Sequence, residues 1–449
     1  MSNLTMFMGD DNIKEYPISE VAKNEWLDFA MYTVESRAIP NMIDGLKPVQ
    51  RFYLYSSIVN TKKEFKKVSA VSGVISDYGY NHGESSAAGA GQLMAAEWNN
   101  NICLIEGRGS FGTRLIQEAG APRYVYTKLS ENFDRYITDT DLSPQHEDPE
   151  HEPPAFYVPI IPLVLVNGTK GIATGFATNI LPRDPADLIK ACTEYLTTGK
   201  IKSEIKIKFP EFAGTVRKDL ETDNKYHIEG TFTKKGKTAL TITEVPYGYD
   251  RESYIKILDA LEDDGDIVGY DDLCDKNGFK FEVKLKQATS AKWNNAKIVS
   301  KFKLSKPITE NLTVIDFNGK LREYKNEKEL IADFCLWRVG FLNKRIEKQI
   351  GIHQNEVRWL NIRLLFIEAI RSGEIDIMNM NRKDLITATV KATKCESKEV
   401  SKLLSLPIAS LLKTEPATFK KAITDTKKKL SFWEKTSPKD QFISDIENL

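Results

Sequence analysis

The chain has 449 residues, of which 41% are hydrophobic and 28% charged, with 63 Lys and Arg against 63 Asp and Glu. That length exceeds what one hydrophobic core normally organises, so two or three folded domains are expected. Zero formal net charge excludes a simple basic coat protein for nucleic acid, whose affinity comes from excess cations. There is no run of eighteen apolar residues for a membrane helix, and the start, MSNLTMFMGDDNIKEYP, lacks the basic-then-apolar pattern of a secretory signal, so a cytoplasmic protein is expected. Cys103, Cys192, Cys274, Cys335 and Cys395 are odd in number and far apart, which fits reduced core thiols rather than a disulfide framework or a zinc site.

Helical signals come first, over residues 20–35, Val49–Ser57, Val68–Tyr78 and Ser86–Trp98. A short apolar strand, Ile102–Ile105, and a glycine-rich stretch from Gly107 to Gly120 follow. Short helices leading into a strand and loop suggest a winged-helix-like module. The acidic, proline-rich segment Ser143–Pro154 reads as an exposed linker or loop. From Phe156 to Tyr324 strand-like runs take over (YVPIIPLVLVNG, IKIKFPEF, KTALTITEV, FKFEVKLKQ, NLTVIDFNGKL), broken by helices at Pro185–Leu196 and Arg251–Leu261, as in an α+β domain. Residues 326–372 contain no proline and repeat apolar side chains at spacings of three and four, predicting one helix of roughly 70 Å. A second stripe, Phe419, Ile423, Thr426, Leu430 and Trp433, has the spacing to return beside it as an antiparallel coiled coil, with LLSLPIASLL in a small knob between them. A lone surface helix in a bundle is the alternative. The predicted divisions are thus 1–150, 151–325 and 326–449.

Several motifs invite a nucleotide or metal reading. Gly107–Gly112 matches GxGxxG after a strand, but Gly120 and Pro122 fall where the phosphate-binding helix should continue. Gly230–Thr238 resembles a P-loop with one residue too many between its glycines, and reads as a hairpin. The pairs Asp139/Asp141 and Asp264/Asp266 sit in polar loops without a third acid, while His146 and His151 share the acidic linker and read as solvated.

Three other segments combine what phosphodiester chemistry needs. Seven cations stand against two acids between Arg37 and Lys67, and eight acids against Arg135 alone between Glu131 and Glu152. Within the first, Arg37, Lys47 and Arg51 flank a tight Asp44-Gly45 turn and suffice to hold a phosphate. In Tyr80–Gly91, His82 precedes a helix N-cap and a run of tiny side chains, in which Gly89 and Gly91 each cost about 1 kcal/mol unless close packing compensates. Ala121–Lys128 places Tyr124 beside Arg123. A phenol of ordinary pKa, about 10, needs such a cation or a base to become a nucleophile. An Arg-Tyr pair in a loop is also an ordinary structural feature.

In this order and spacing the three segments resemble the breakage-reunion subunits of type IIA DNA topoisomerases, the family of gyrase A, and within it the form carried by T-even bacteriophages. The resemblance continues through Val166–Ile180, Ile242–Tyr247 and the long helix, covering almost the whole chain. It implies a winged-helix DNA-cleavage domain, an α/β tower domain, and a long coiled coil ending in a helical dimerisation gate. By position it makes Tyr124 the nucleophile rather than Tyr126, with Arg123, Arg37 and His82 around the scissile phosphate, Lys47, Arg51 and Ser85 touching DNA, and Ile172 wedged between base pairs. It breaks at Gly89, where gyrases carry an acid, which removes the basis for expecting quinolone sensitivity. No metal ligand is assigned to this chain: Mg2+ and ATP are expected on a gyrase B-like partner, and double-stranded DNA and a second copy of the chain are the other partners. No DNA-wrapping domain follows the returning helix, so relaxation or decatenation is implied rather than negative supercoiling, in a host-cell cytoplasm if the source is viral. The rival reading is a non-enzymatic winged-helix scaffold that dimerises through the coiled coil.

Overall fold

A computed structural model describes residues 18–449, apart from 24, 237, 291–292 and 408–414. The predicted absence of a secretory signal at the start, and the second half of LLSLPIASLL, lie outside the described residues. The chain divides into two compact units, residues 1–337 with Leu449 and residues 338–448. The first holds both segments expected as separate domains, 1–150 and 151–325.

The first unit begins with α1 (Glu25–Thr33), continued by a π-helical turn, Val34–Ala38, that carries Arg37. Helix α2 (Pro48–Thr61) starts at a proline, whose missing N–H would be unsatisfied there in any case. Helix α3 (Glu84–Ala95) crosses it so closely that a Cβ on Gly91 would lie 2.1 Å from the Tyr53 ring. The small side chains at Ala87, Ala88 and Gly91 are all buried there, whereas Gly89 faces open space. Beneath the helices lies an antiparallel sheet of β1 (Lys66–Lys67), β2 (Ile105–Arg108) and β3 (Tyr126–Leu129), with β3 in the centre. Tyr53 Oη and Thr127 Oγ1 share a hydrogen bond of 2.7 Å that joins α2 to β3.

The strand expected at Ile102–Ile105 starts instead at Ile105, because the Asn167 side chain occupies both polar groups of Ile102: its amide donates to Ile102 O at 2.8 Å and its carbonyl accepts from Ile102 N at 2.9 Å. The run YVPIIPLVLVNG is not one strand. Val158–Pro159 pairs with Ile137–Thr138, and Leu163–Asn167 is a helix whose four apolar residues are all buried, a case that periodicity alone cannot separate from a buried strand. IKIKFPEF also forms no strand; Ile205 and Phe209 are buried without a ladder around them.

A hairpin of β4 (Thr169–Ile172) and β5 (Ala177–Ile180) follows. Further on, a four-stranded antiparallel sheet (Thr231–Lys235, Ala239–Glu244, Phe281–Leu285, Ile267–Asp272) packs against the helix Arg251–Asp263 around Tyr254, Leu258, Phe281 and Phe302. A three-stranded sheet (Thr215–Lys218, Lys225–Glu229, Ser305–Thr309) adjoins it in sequence. Two buried ion pairs tie distant segments: Arg114 to Glu244 at 2.9 Å, and Arg183 to Glu310 at 2.6 Å. Arg114 comes from the glycine-rich stretch, where Gly109 and Gly112 have φ of 119° and 81° and no helix follows, so the GxGxxG match builds a tight structural loop. The P-loop-like segment is the hairpin between Thr231–Lys235 and Ala239–Glu244. The acidic segment Ser143–Pro154 is a folded loop rather than a linker: the His146 and His151 rings meet at a tilt of 48° with centroids 4.4 Å apart, and His151 packs edge-on against Phe52. Both rings are half-buried, and burial lowers the His146 pKa.

Helix α4 (Glu327–Ser372) is continuous over 46 residues, about 69 Å at 1.5 Å per residue. In the second unit its later part packs Leu364 and Ile367 against Phe419 and Ile423 of α5 (Glu415–Lys435). Asp445, in the helix Pro438–Glu447, accepts from Arg338 at 3.1 Å and Arg345 at 2.7 Å. Later residues of the return thus meet earlier residues of α4, an antiparallel arrangement. Ile362, Phe366, Leu385, Val400 and Leu403 close a small separate core. Among the described residues no helix is long and apolar enough to cross a membrane.

Candidate functional site

Tyr124 sits in the turn that leads into β3. Its N–H donates to Ala121 O at 2.8 Å, closing the turn. The neighbouring residues pin this turn to the fold: Val68 N–H donates to Val125 O at 3.0 Å, Ser69 N–H to Pro122 O at 3.1 Å, and the Gln92 amide of α3 to Gly120 O at 2.6 Å. Val125 points into the core, so the side chains on either side of it point out, and Tyr124 is 67% exposed. The Arg123 guanidinium lies over the Tyr124 ring, 4.7 Å from its centroid. The backbone is held from three sides and the phenol is free to meet a ligand.

A second group forms where α1, the π-helical turn and the start of α3 meet. Arg37 Nη2 donates to His82 Nδ1 at 3.2 Å, and Tyr32 Oη lies 3.0 Å from His82 Nε2. A guanidinium can only donate, so Nδ1 is an acceptor and the neutral ring carries its proton on Nε2, pointing to Tyr32. Burial first, then the Arg37 charge, holds the His82 pKa below its ordinary value. Tyr80 packs edge-on against His82 at 5.3 Å. Sequence assigns no role to either tyrosine: Tyr80 only opens the Tyr80–Gly91 segment, and Tyr32 reaches His82 from 50 residues away.

The β4–β5 hairpin lies against this group. A Cβ on Gly171 would sit 2.0 Å from Ala38 O, so glycine lets the strand touch the backbone beside Arg37. At its tip Ile172 is 80% and Phe176 52% exposed. Lys47 Nζ donates to Lys170 O at 2.7 Å, and burial lowers its pKa. Lys47 and Lys170 line a groove of about 940 Å³ together with Ser86, Asn179, Tyr247 and Lys306. Ser85 is exposed in the first turn of α3.

Arg51 departs from expectation. It is 7% exposed, and its Nε and Nη2 bind Asp44 at 2.8 and 3.0 Å, with a further bond from Nη2 to Leu46 O at 3.1 Å. Asp44 also accepts from Leu46 N at 3.0 Å and Tyr157 N at 3.1 Å. Nε and Nη2 of this guanidinium brace the turn, so most of the group is engaged by the protein itself rather than presented to DNA. What the sequence presents as a cluster of three cations is two available cations and one structural one.

The structure brings Arg37, His82, Lys47 and Ile172 to one region and Arg123 with Tyr124 to another. Among the described residues no hydrogen bond, ion pair or ring contact joins the two. Gln92, which reaches the Tyr124 loop, is eight residues along α3 from Glu84, about 12 Å from the end that follows His82. Among the described residues no group of three or more His, Cys, Asp or Glu side chains is placed to hold a metal ion. The site thus offers an exposed phenol with a cation on its ring, and separately a cation and a neutral imidazole beside an exposed isoleucine.

The chain matches the family model for the A-type subunits of DNA gyrase and topoisomerase IV over residues 37–448. It is 41% identical over 440 residues to the DNA topoisomerase medium subunit of Enterobacteria phage T4, covering 96% of this chain and 98% of that one. It is 31% identical over 389 residues to the mitochondrial DNA topoisomerase 2 of Dictyostelium discoideum, covering 84% of this chain but only 30% of the larger protein. Its fold is similar to the crystal structure of the Plasmodium falciparum topoisomerase II DNA-binding, cleavage and re-ligation domain, with a TM-score of 0.85 and 26% identity, over 94% of this chain and 62% of that one.

Proposed function

The chain belongs to the family of A-type DNA gyrase and topoisomerase IV subunits and is the DNA-cleaving and religating subunit of a type II DNA topoisomerase; from that premise we propose that Tyr124 is its nucleophile. The observation that carries this reading is the exposed phenol on a turn braced from three sides, with the Arg123 cation on its ring. The Tyr124 oxygen attacks the scissile phosphorus, the bond to the 3′ oxygen breaks, and the phenolic proton leaves with the departing hydroxyl or a base. One phosphoester replaces another, so the released 3′ hydroxyl can reverse the step without an external energy source. The product is a 5′-phosphotyrosine link.

One tyrosine opens one strand, so a duplex cut requires two copies of the chain related by a two-fold axis. The separation of Tyr124 from Arg37 and His82 within one chain supports the same conclusion. In our reading the Arg37–His82 pair of one copy faces the Tyr124 turn of the other, Arg37 neutralising the phosphate and His82 taking up or returning the proton. Lys47 and Ser85 hold the flanking backbone, and Ile172 enters the base stack, bending the duplex. Residues 1–150 then act as a winged-helix cleavage domain, 151–325 as a tower, and 326–449 as coiled coil and dimer gate.

Phosphoryl transfer also requires charge neutralisation by a divalent cation. Among the described residues no group of three or more His, Cys, Asp or Glu is placed to hold such a cation; on the family resemblance we assign Mg2+ and ATP to a gyrase B-like partner, with which the enzyme passes one duplex through another to relax or decatenate DNA. Family membership sets aside the non-enzymatic scaffold. Detergent trapping after incubation with DNA, Mg2+ and the partner is expected to leave a covalent protein–DNA adduct with the native chain and with Tyr126→Phe, and none with Tyr124→Phe. An adduct that survives Tyr124→Phe refutes the assignment.

A further inference from the structure

The outer face of the β1–β3–β2 sheet carries a cluster that the reaction above leaves unused. Alternation along β3 puts Thr127 inward, against Tyr53, and Tyr126 and Lys128 outward on the side to which Tyr124 also points. Lys67 is the direct partner of Tyr126 from one edge and Arg108 from the other, so the three side chains share that face in one row. The Arg108 guanidinium lies over the Tyr126 ring at 4.9 Å and reaches across to the Phe65 ring at 4.7 Å. Two aromatic contacts hold a planar cation in one orientation at little entropic cost. Glu106, two residues before Arg108 on the same strand, pairs with Lys128 at 3.1 Å, and Asp134 pairs with Lys63. Among the described residues no carboxylate pairs with Arg108 or Lys67, and both are exposed.

An oriented guanidinium on one side of Tyr126 and an ammonium on the other, neither paired with a carboxylate, are donors for the phosphates of a DNA backbone laid across the sheet. We propose that Arg108, held against Phe65 and Tyr126, forms with Lys67 a second phosphate-binding station on the face that presents Tyr124. Tyr126 opens β3 two residues after Tyr124, no more than about 6.8 Å away along an extended chain, which is on the order of the spacing between neighbouring phosphates of one DNA strand. The station therefore grips the backbone one or two nucleotides from the phosphate under attack and holds that phosphate in register with the phenol. This rests on Tyr124 as nucleophile. It also gives Tyr126 a task that its ring performs and its hydroxyl does not.

Equilibrium binding of the full chain to duplex DNA across a salt series tests the station. Arg108→Gln is expected to lower the slope of log K against log salt by about 1, the loss of one phosphate contact. At fixed salt it should bind about tenfold more weakly, the size of one charge-assisted hydrogen bond. Arg108→Lys restores the slope. Tyr126→Leu weakens binding with the slope kept, and adds nothing in the Arg108→Gln background, because both act through the same guanidinium. Lys67→Gln, on the exposed edge, reads the station independently should Arg108→Gln fail to fold. Native slopes in both Gln variants overturn the proposal. If the native chain forms its adduct while those slopes stay unchanged, the station alone falls; if the native chain forms none, the nucleophile falls with it.

Discussion

Removing the Arg51 side chain separates two readings of the same cation. Its guanidinium is buried, makes two bonds to a fully buried Asp44 and a third to Leu46 O, and Asp44 in turn receives two backbone N–H groups. Arg51→Met keeps much of the volume but leaves a carboxylate in the interior with no counter-charge. Breaking one side of a buried pair costs about 3–5 kcal/mol. At a few degrees per kcal/mol that is on the order of 10 °C in melting temperature. Asp44→Asn/Arg51→Met should recover part of the loss, since a neutral amide no longer needs the cation. The assay is thermal or urea unfolding of each variant, together with the salt dependence of DNA binding at a temperature where all are folded. The expected result is a large stability loss with an unchanged salt slope. A variant of native stability whose slope drops by about 1 would show that Arg51 touches phosphate and that the brace is dispensable.

Gly91→Ala places a methyl 2.1 Å from the Tyr53 ring and is expected to cost about 1–3 kcal/mol in urea unfolding, while Gly89→Ala, with nothing within 4 Å, gains up to about 1 kcal/mol of helix propensity. Equal effects at the two positions would contradict the α2–α3 contact. Ile172→Ala should leave stability within about 0.5 kcal/mol, because the side chain is 80% exposed, while reducing DNA bending measured by energy transfer between duplex ends. His82 has a folded-state pKa below its ordinary 6.5, so the unfolded chain takes up the proton first and stability falls as pH drops through 6.5 and below. His82→Asn should flatten that part of the profile, and a curve identical to the native one is the contrary outcome.

Local pattern made much of this molecule readable. The helix predicted over 326–372 is found at Glu327–Ser372, because apolar spacing and the absence of proline are properties of the segment itself. The run of small residues after His82 signalled a close approach, and Gly91 makes one. Gly89, identical in type two residues earlier, makes none, since which side of a helix faces a neighbour is decided outside the helix. The apolar run Tyr157–Gly168 carried no period that separates strand from helix, and both occur in it.

The candidate site divides along the same line. Sequence alone determined the chemical inventory: a tyrosine beside an arginine, a histidine before a helix of small residues, cations around Asp44-Gly45, and a family resemblance that spans the chain. Tertiary structure decided which of those groups are available. It buried Arg51 on Asp44, set Tyr32 on His82 across 50 residues, and laid Arg108 across Tyr126 and Phe65. The reason is physical: side-chain chemistry is carried by each residue, but charge compensation, exposure and stacking are relations between residues, set only when packing brings distant segments together.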